Sequence, residues 1–130
     1  MPSRVEDWLR QAERNLTHAE RSLELGDYDW ACFAAHQAGE MAVKALFRSL
    51  NAEAWGHMIS AALDNLPPGE KAPAAVTRSA KALDRHYIPS RYPESFGSGT
   101  PGDYYTQSDA TRALEDARRV LEFCQGRIRR

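Results

Sequence analysis

The chain has 130 residues and a formal net charge of −1, with 42% apolar and 27% charged residues. That length holds one core, not two, and a core large enough to stand without metal or disulfide staples, so residues 1–130 read as one domain. No apolar run approaches a membrane span, and the N-terminal Met-Pro-Ser-Arg-Val-Glu-Asp is charged too early for a secretory signal. Cys32 and Cys124 sit in apolar helical patterns without a close partner, which indicates neither a disulfide framework nor a zinc site. A reducing cytoplasm is the expected compartment.

The first predicted element starts at Val5. Val5, Trp8, Leu9, Ala12, Leu16, Ala19 and Leu23 recur at steps of three and four and share one helical face. Ser3 with Glu6 has the spacing of a capping box, and Gly26 is placed to end the helix. Asp27 or Asp29 then starts a second helix over about residues 28–50. Its apolar residues, among them Trp30, Phe33, Met41 and Leu46, alternate with many alanines, and so thin a rod suits the centre of a bundle. A short helix is expected over 57–65, closed by Pro67-Pro68-Gly69. A fourth helix runs over 73–86 with Val76, Ala80 and Leu83 inward.

Residues 87–107 break the pattern, with three prolines, three glycines, four tyrosines and Phe96 and no helical period. So many aromatic residues argue for an ordered loop, which at this length is usually functional. Ser108-Asp109 restarts a helix whose apolar face runs from Ala113 through Leu114, Ala117, Val120, Leu121 and Cys124 to Ile128. With no strand alternation, the predicted fold is all-α: an up-and-down antiparallel helical bundle of four longer helices plus a short one. The tryptophans Trp8, Trp30 and Trp55 read as core or interface anchors, not as a stacking platform. Charge is uneven: residues 1–65 carry 6 Lys/Arg against 10 Asp/Glu, and residues 66–130 carry 11 against 8. The arginines of the last thirteen residues either touch phosphates or complement the C-terminus of the final helix.

Two constellations carry possible chemistry. On the second helix His36, Gln37, Glu40 and Lys44 form a polar line in an apolar segment. Either it floors a cleft with an acid/base pair or ligand hook, or it is a Glu40–Lys44 pair beside a satisfied histidine. His36 and Glu40 offer a metal two ligands and no third, so no metal or other cofactor is expected. The second constellation is Asp84-Arg85-His86-Tyr87-Ile88-Pro89-Ser90-Arg91-Tyr92-Pro93. Arg91 between aromatic rings and prolines suits a phosphate or a base. Alternatively Tyr87 and Tyr92 pin the loop while Arg91 pairs with Asp84 or Glu40. His18 reads as a surface residue and His57 as a helix start.

Ala34-Ala35-His36-Gln37-Ala38-Gly39-Glu40-Met41-Ala42-Val43-Lys44-Ala45-Leu46, then His57, then the Tyr87–Pro93 segment, resemble the HEPN domain family across about residues 5–125. The resemblance implies an up-and-down bundle, commonly a homodimer whose cleft gathers polar residues and meets nucleotide or RNA. It implies a partner too, a separately encoded minimal nucleotidyltransferase in a toxin–antitoxin type pair. Gln37, Glu40 and Lys44 carry over as the helix motif, Arg91 and Tyr92 as the loop motif. Some members are metal-independent endoribonucleases, with an arginine followed after four to six residues by a histidine. Here three residues separate Arg14 from His18, seven separate Arg78 from His86, and eight separate Arg48 from His57. The expected activity is therefore binding, with Arg91 as anion fork, Tyr87 or Tyr92 stacking, and Lys44 assisting. The alternatives are an endoribonuclease toxin using Arg91 and His36, and a structural adaptor without catalysis.

Overall fold

Six α-helices and one 3-10 turn build the fold in a computed structural model that describes residues 4–129. They are α1 (Val5–Leu25), α2 (Tyr28–Ser49), α3 (Ile59–Asp64), α4 (Ala74–Asp84), α5 (Pro101–Tyr104) and α6 (Gln107–Ile128), with the 3-10 turn at Pro93–Ser95. This is the all-helical bundle the periodicity predicts. The capping box expected at Ser3 lies outside the described residues.

Gly26 ends α1 at φ 82°, a left-handed conformation that costs glycine little. Its N–H donates to the Leu23 carbonyl and the Asp27 N–H to that of Ser22, a Schellman closure that turns the chain straight into α2. Asp27 stands at the N-cap of α2, one of the two positions expected, but its side chain makes no capping hydrogen bond among the described residues. The apolar stripe of α1 does face the core: Leu9, Ala12 and Ala19 are buried, and Trp8, Leu16 and Leu23 pack against them.

The central rod, α2, packs against α1, α3, α4, α5 and α6. Ala31, Ala35, Ala38, Ala42 and Ala45 are wholly buried, so their neighbours approach on several sides. Gly39 marks the tightest approach: a Cβ there would lie 3.0 Å from both Ile59 Cδ1 and Leu83 Cδ1. Opposite it, α6 contributes Ala113, Leu114, Ala117, Val120 and Cys124. Cys32 and Cys124 are free and buried, and burial pushes both thiols up to about 12. The tryptophans, expected as core or interface anchors, stand at the rim of the core or outside it. Trp8 packs at its edge, Trp30 is 47% exposed and Trp55 is 84% exposed.

The 87–107 segment is ordered, and it holds two single-turn elements that periodicity misses. Pro93 and Pro101 open them, since a first-turn residue needs no N–H. Thr100 with Asp103, and then Thr106 with Asp109, form capping boxes, so α6 starts slightly before the predicted Ser108. Phe96 and Tyr104 stack at 4.4 Å, and the Tyr104 hydroxyl donates to the Ser98 carbonyl. Tyr105 meets His86 Nδ1 at 3.2 Å, and the Ser90 hydroxyl donates to the His86 carbonyl, closing the loop onto α4.

Asp84 joins α3 to α4. Its carboxylate accepts from the Ile59 N–H at 2.6 Å, the Ser60 N–H at 3.2 Å and the Ser60 hydroxyl at 2.5 Å, a cap delivered from another helix. Asp84→Ala should lower stability by about 1–3 kcal/mol in urea denaturation, and Ser60→Ala by clearly less, because the backbone N–H groups keep their acceptor. His86 gives a second test. Burial pushes its imidazole down from the ordinary range to about 4. Between these values the unfolded chain takes up a proton that the folded chain refuses, so stability falls as pH drops from about 6.5 toward 4. Unfolding measured across that range should show His86→Gln losing less stability than the wild type, by up to about 3 kcal/mol.

Candidate functional site

The residues singled out in the sequence divide between two parts of α2: the polar line gathers around His57, and Arg91 meets the first turn. His36 is completely buried, with Nε2 donating to the His57 carbonyl at 2.9 Å and Nδ1 2.9 Å from the Gln37 side-chain amide. Both ring nitrogens are engaged, so His36 neither faces a cleft nor exchanges protons with a ligand. This corrects its expected place as a cleft-floor acid/base.

One turn on, Glu40 is 5% exposed and uses both oxygens. Oε2 accepts from Lys44 Nζ at 2.9 Å, and Oε1 meets His57 Nδ1 at 3.0 Å. A buried carboxylate needs such partners, because desolvation without them costs several kcal/mol. The sequence marks His57 only as a helix start, yet it belongs to the site. Its side chain is 53% exposed, its Nδ1 donates to Glu40, and no hydrogen bond occupies its Nε2 among the described residues. Tyr87 completes the group, stacked on His57 at 4.6 Å and tilted against His36 at 5.0 Å. The hollow beside Glu40 and His57 holds about 10 Å³, the space of a single water, so the open cleft expected over the polar line is closed.

Arg91 occupies the other end. It does fold back onto α2, but onto its first turns instead of the Glu40–Lys44 segment. Nη2 donates to Asp29 Oδ2 at 2.5 Å, and the guanidinium lies 3.7 Å over the Trp30 ring. Neither Asp84 nor Glu40 is its partner: Asp84 caps α3, and Glu40 serves Lys44 and His57. Nε is buried without a hydrogen-bond acceptor, and the side chain is 18% exposed. Tyr92 is exposed and makes no ring contact among the described residues, so it does not pin the loop to them. The two ends are nonetheless continuous. Trp30 meets Phe33 edge-on at 6.2 Å, Phe33 stacks on Tyr87 at 6.2 Å, and Tyr87 stacks on His57.

Surface charge departs from the sequence reading. The C-terminal arginines are taken up by acids: Arg118 by Glu20 at 3.3 Å, Arg127 by Glu70 at 2.9 Å and Arg129 by Glu6 at 3.9 Å. Arg119 lies 3.5 Å from Asp116. Arg14, Arg21 and Arg48, on α1 and the far end of α2, are in no ion pair among the described residues, although that half of the sequence is acidic. There Arg48 lies 5.4 Å over Trp8, beside Lys44 at 5.9 Å. A groove of about 500 Å³ runs along Trp8, Arg10, Arg14, Met41 and Arg48. No group of three or more metal-ligating side chains occurs among the described residues, and no helix is long and apolar enough to cross a membrane.

The family model for the HEPN domain matches residues 5–127. The structure of TT1696 from Thermus thermophilus is 44% identical with a TM-score of 0.94, the match covering 97% of this chain and 99% of that one. ST0689, described as an archaeal HEPN homologue, is 40% identical with a TM-score of 0.83, covering 99% and 100% of the two chains. A curated protein of Methanocaldococcus jannaschii named "Putative toxin MJ1304" is 28% identical over 124 residues, covering 88% of this chain and 82% of that protein.

Proposed function

The chain belongs to the HEPN domain family, and from that premise we propose that it is the HEPN member of a toxin–antitoxin type pair and binds nucleotide or RNA phosphate. The likeness to the Methanocaldococcus protein, over most of both chains, is what carries the pairing. On this reading the working form is a cytoplasmic homodimer acting with a separately encoded minimal nucleotidyltransferase. Exposed Trp30, Ile88 and Tyr92, all beside the Arg91–Asp29 pair, support a self-contact, since such aromatic and arginine side chains are enriched at interfaces.

The observation that carries phosphate binding is the half-exposed His57 ring, backed by Glu40 and stacked on Tyr87, with Lys44 beside it. Lys44 supplies the point charge, and Tyr87 with His57 a stacking surface. Gln37 and His36 fix the His57 carbonyl, Arg91 seats the loop on Asp29 and Trp30, and Tyr92 serves the self-contact. Titration with ATP and with a short RNA, read by calorimetry, should lose about tenfold in affinity or more in both Lys44→Ala and His57→Ala. Unchanged affinity in both variants rejects the site. Co-purification with the nucleotidyltransferase encoded nearby tests the pairing.

One geometric fact favours the endoribonuclease reading as well. An imidazole whose Nδ1 donates to a buried carboxylate, with Nε2 open, has the arrangement of a general acid/base. His57, not His36, then takes that role: Nε2 accepts the proton of the 2′-hydroxyl as O2′ bonds to phosphorus, the P–O5′ bond breaks, and the 5′-oxygen leaves with a proton from water, giving a 2′,3′-cyclic phosphate. RNA cleavage by metal-free protein should vanish in His57→Ala, by about a hundredfold or more, while His57→Ala keeps its melting temperature. RNA left intact by the wild type excludes the activity.

A further inference from the structure

The cationic face of α1 and α2 has no role in the function above. Arg14, Arg21 and Arg48 make no ion pair among the described residues, whereas Arg118, Arg119, Arg127 and Arg129 each lie within ion-pair distance of an acid. Three hollows join along this face. One of about 560 Å³ lies between Arg21 and Arg14, and the groove of about 500 Å³ continues from Arg14 to Arg48. A third, of about 200 Å³, runs from Arg48 and Lys44 to Trp55. The first two share Gln11 and Arg14, and the last two share Trp8 and Arg48. From Arg21 to Trp8 the track follows α1 for about 20 Å.

Its acids do not cancel its cations. Asp7 is committed to Arg4 at 3.0 Å, with Arg10 at 4.0 Å, and the other acids in the walls are Glu13 and Glu53. With Arg4 and Arg10 at Asp7, and Lys44 held by Glu40 at 2.9 Å, Arg14, Arg21 and Arg48 remain as the cations of the walls without an ion pair among the described residues. Trp55 stands at the end of the track, 84% exposed, where no protein group covers its ring. A row of unneutralised guanidiniums ending on an open indole matches an electrostatic channel for a single strand with a stacking platform for a base.

We propose that this face is a binding track for single-stranded RNA, with Arg21, Arg14 and Arg48 on successive phosphates and Trp55 stacked on a base. The assignment to RNA rests on the phosphate-binding reading above; the track itself rests on charge and exposure. An acidic protein segment would find the same cations but has no base for the open indole.

The test is fluorescence anisotropy with labelled oligouridylate against the full chain at several salt concentrations. The double variant Arg14→Glu/Arg21→Glu should bind at least about tenfold more weakly, with a salt slope reduced by about one for each phosphate that no longer meets a cation. Trp55→Ala should cost about fivefold or more. Arg118→Glu/Arg129→Glu, changing net charge equally, should lose far less. All are surface substitutions, and an unchanged melting temperature verifies the fold. Equal losses in the two double variants, or affinity kept by Arg14→Glu/Arg21→Glu, overturn the track. So does oligoglutamate competing as well as the oligonucleotide at equal charge, which assigns the face to an acidic protein. Oligouridylate binding that depends on Arg14 and Arg21, in a protein that binds no ATP, leaves the track standing and removes the His57–Lys44 site. ATP binding with oligonucleotide affinity indifferent to Arg14 and Arg21 does the reverse.

Discussion

Enclosure of α2 governs everything else in this molecule. A helix touched by five others has few solvent-facing positions in its middle, so the polar residues there, His36 and Glu40, must find their partners inside the protein or at a seam between elements. Alanines allow that enclosure, and Gly39 allows the closest part of it. The cost of a buried carboxylate explains why Glu40 holds two donors at once, and why the segment before α3 passes where it does. Asp84 adds the second constraint on that segment by seating the first turn of α3. His57 is thus gripped through its carbonyl by His36 and through its ring by Glu40, while one face of the ring stays against Tyr87.

The loop after α4 is attached by aromatic stacking more than by hydrogen bonds. Arg91 over Trp30, then Phe33, Tyr87 and His57, make a column running along α2 from its first turn to its middle. Rings in such contact each add about 0.5–1.5 kcal/mol beyond the area they bury. The column couples the Arg91 end to the His57 end without a direct contact between them. A residue that looks like a ligand hook in sequence is, in space, the foot of that column.

Much of the fold was legible because four helices are long enough for a period to show, and their caps and breakers agree with it. The single-turn elements at Pro93 and Pro101 were not, since four residues contain no repeat. The site was legible in part. Glu40 with Lys44 follows from spacing on one helix, whereas Asp29 with Arg91 joins residues 62 positions apart and no local pattern announces it. His57 stands alone in a connecting segment, and its tie to Glu40 exists only after α3 has docked. The charge reading failed for a related reason. Counting arginines by position along the chain cannot show that the C-terminal ones meet Glu20, Glu70 and Glu6, nor that Arg14, Arg21 and Arg48 of the acidic half are left over.

Both native thiols lie in the core, and their high proton affinity leaves scarcely any thiolate at neutral pH. The natural chain therefore already behaves as a silent background for maleimide chemistry. A single cysteine introduced on any outer helix face becomes the sole attachment point for a dye or spin label, so distances within the bundle, or between copies, become measurable without first stripping the protein of sulfur.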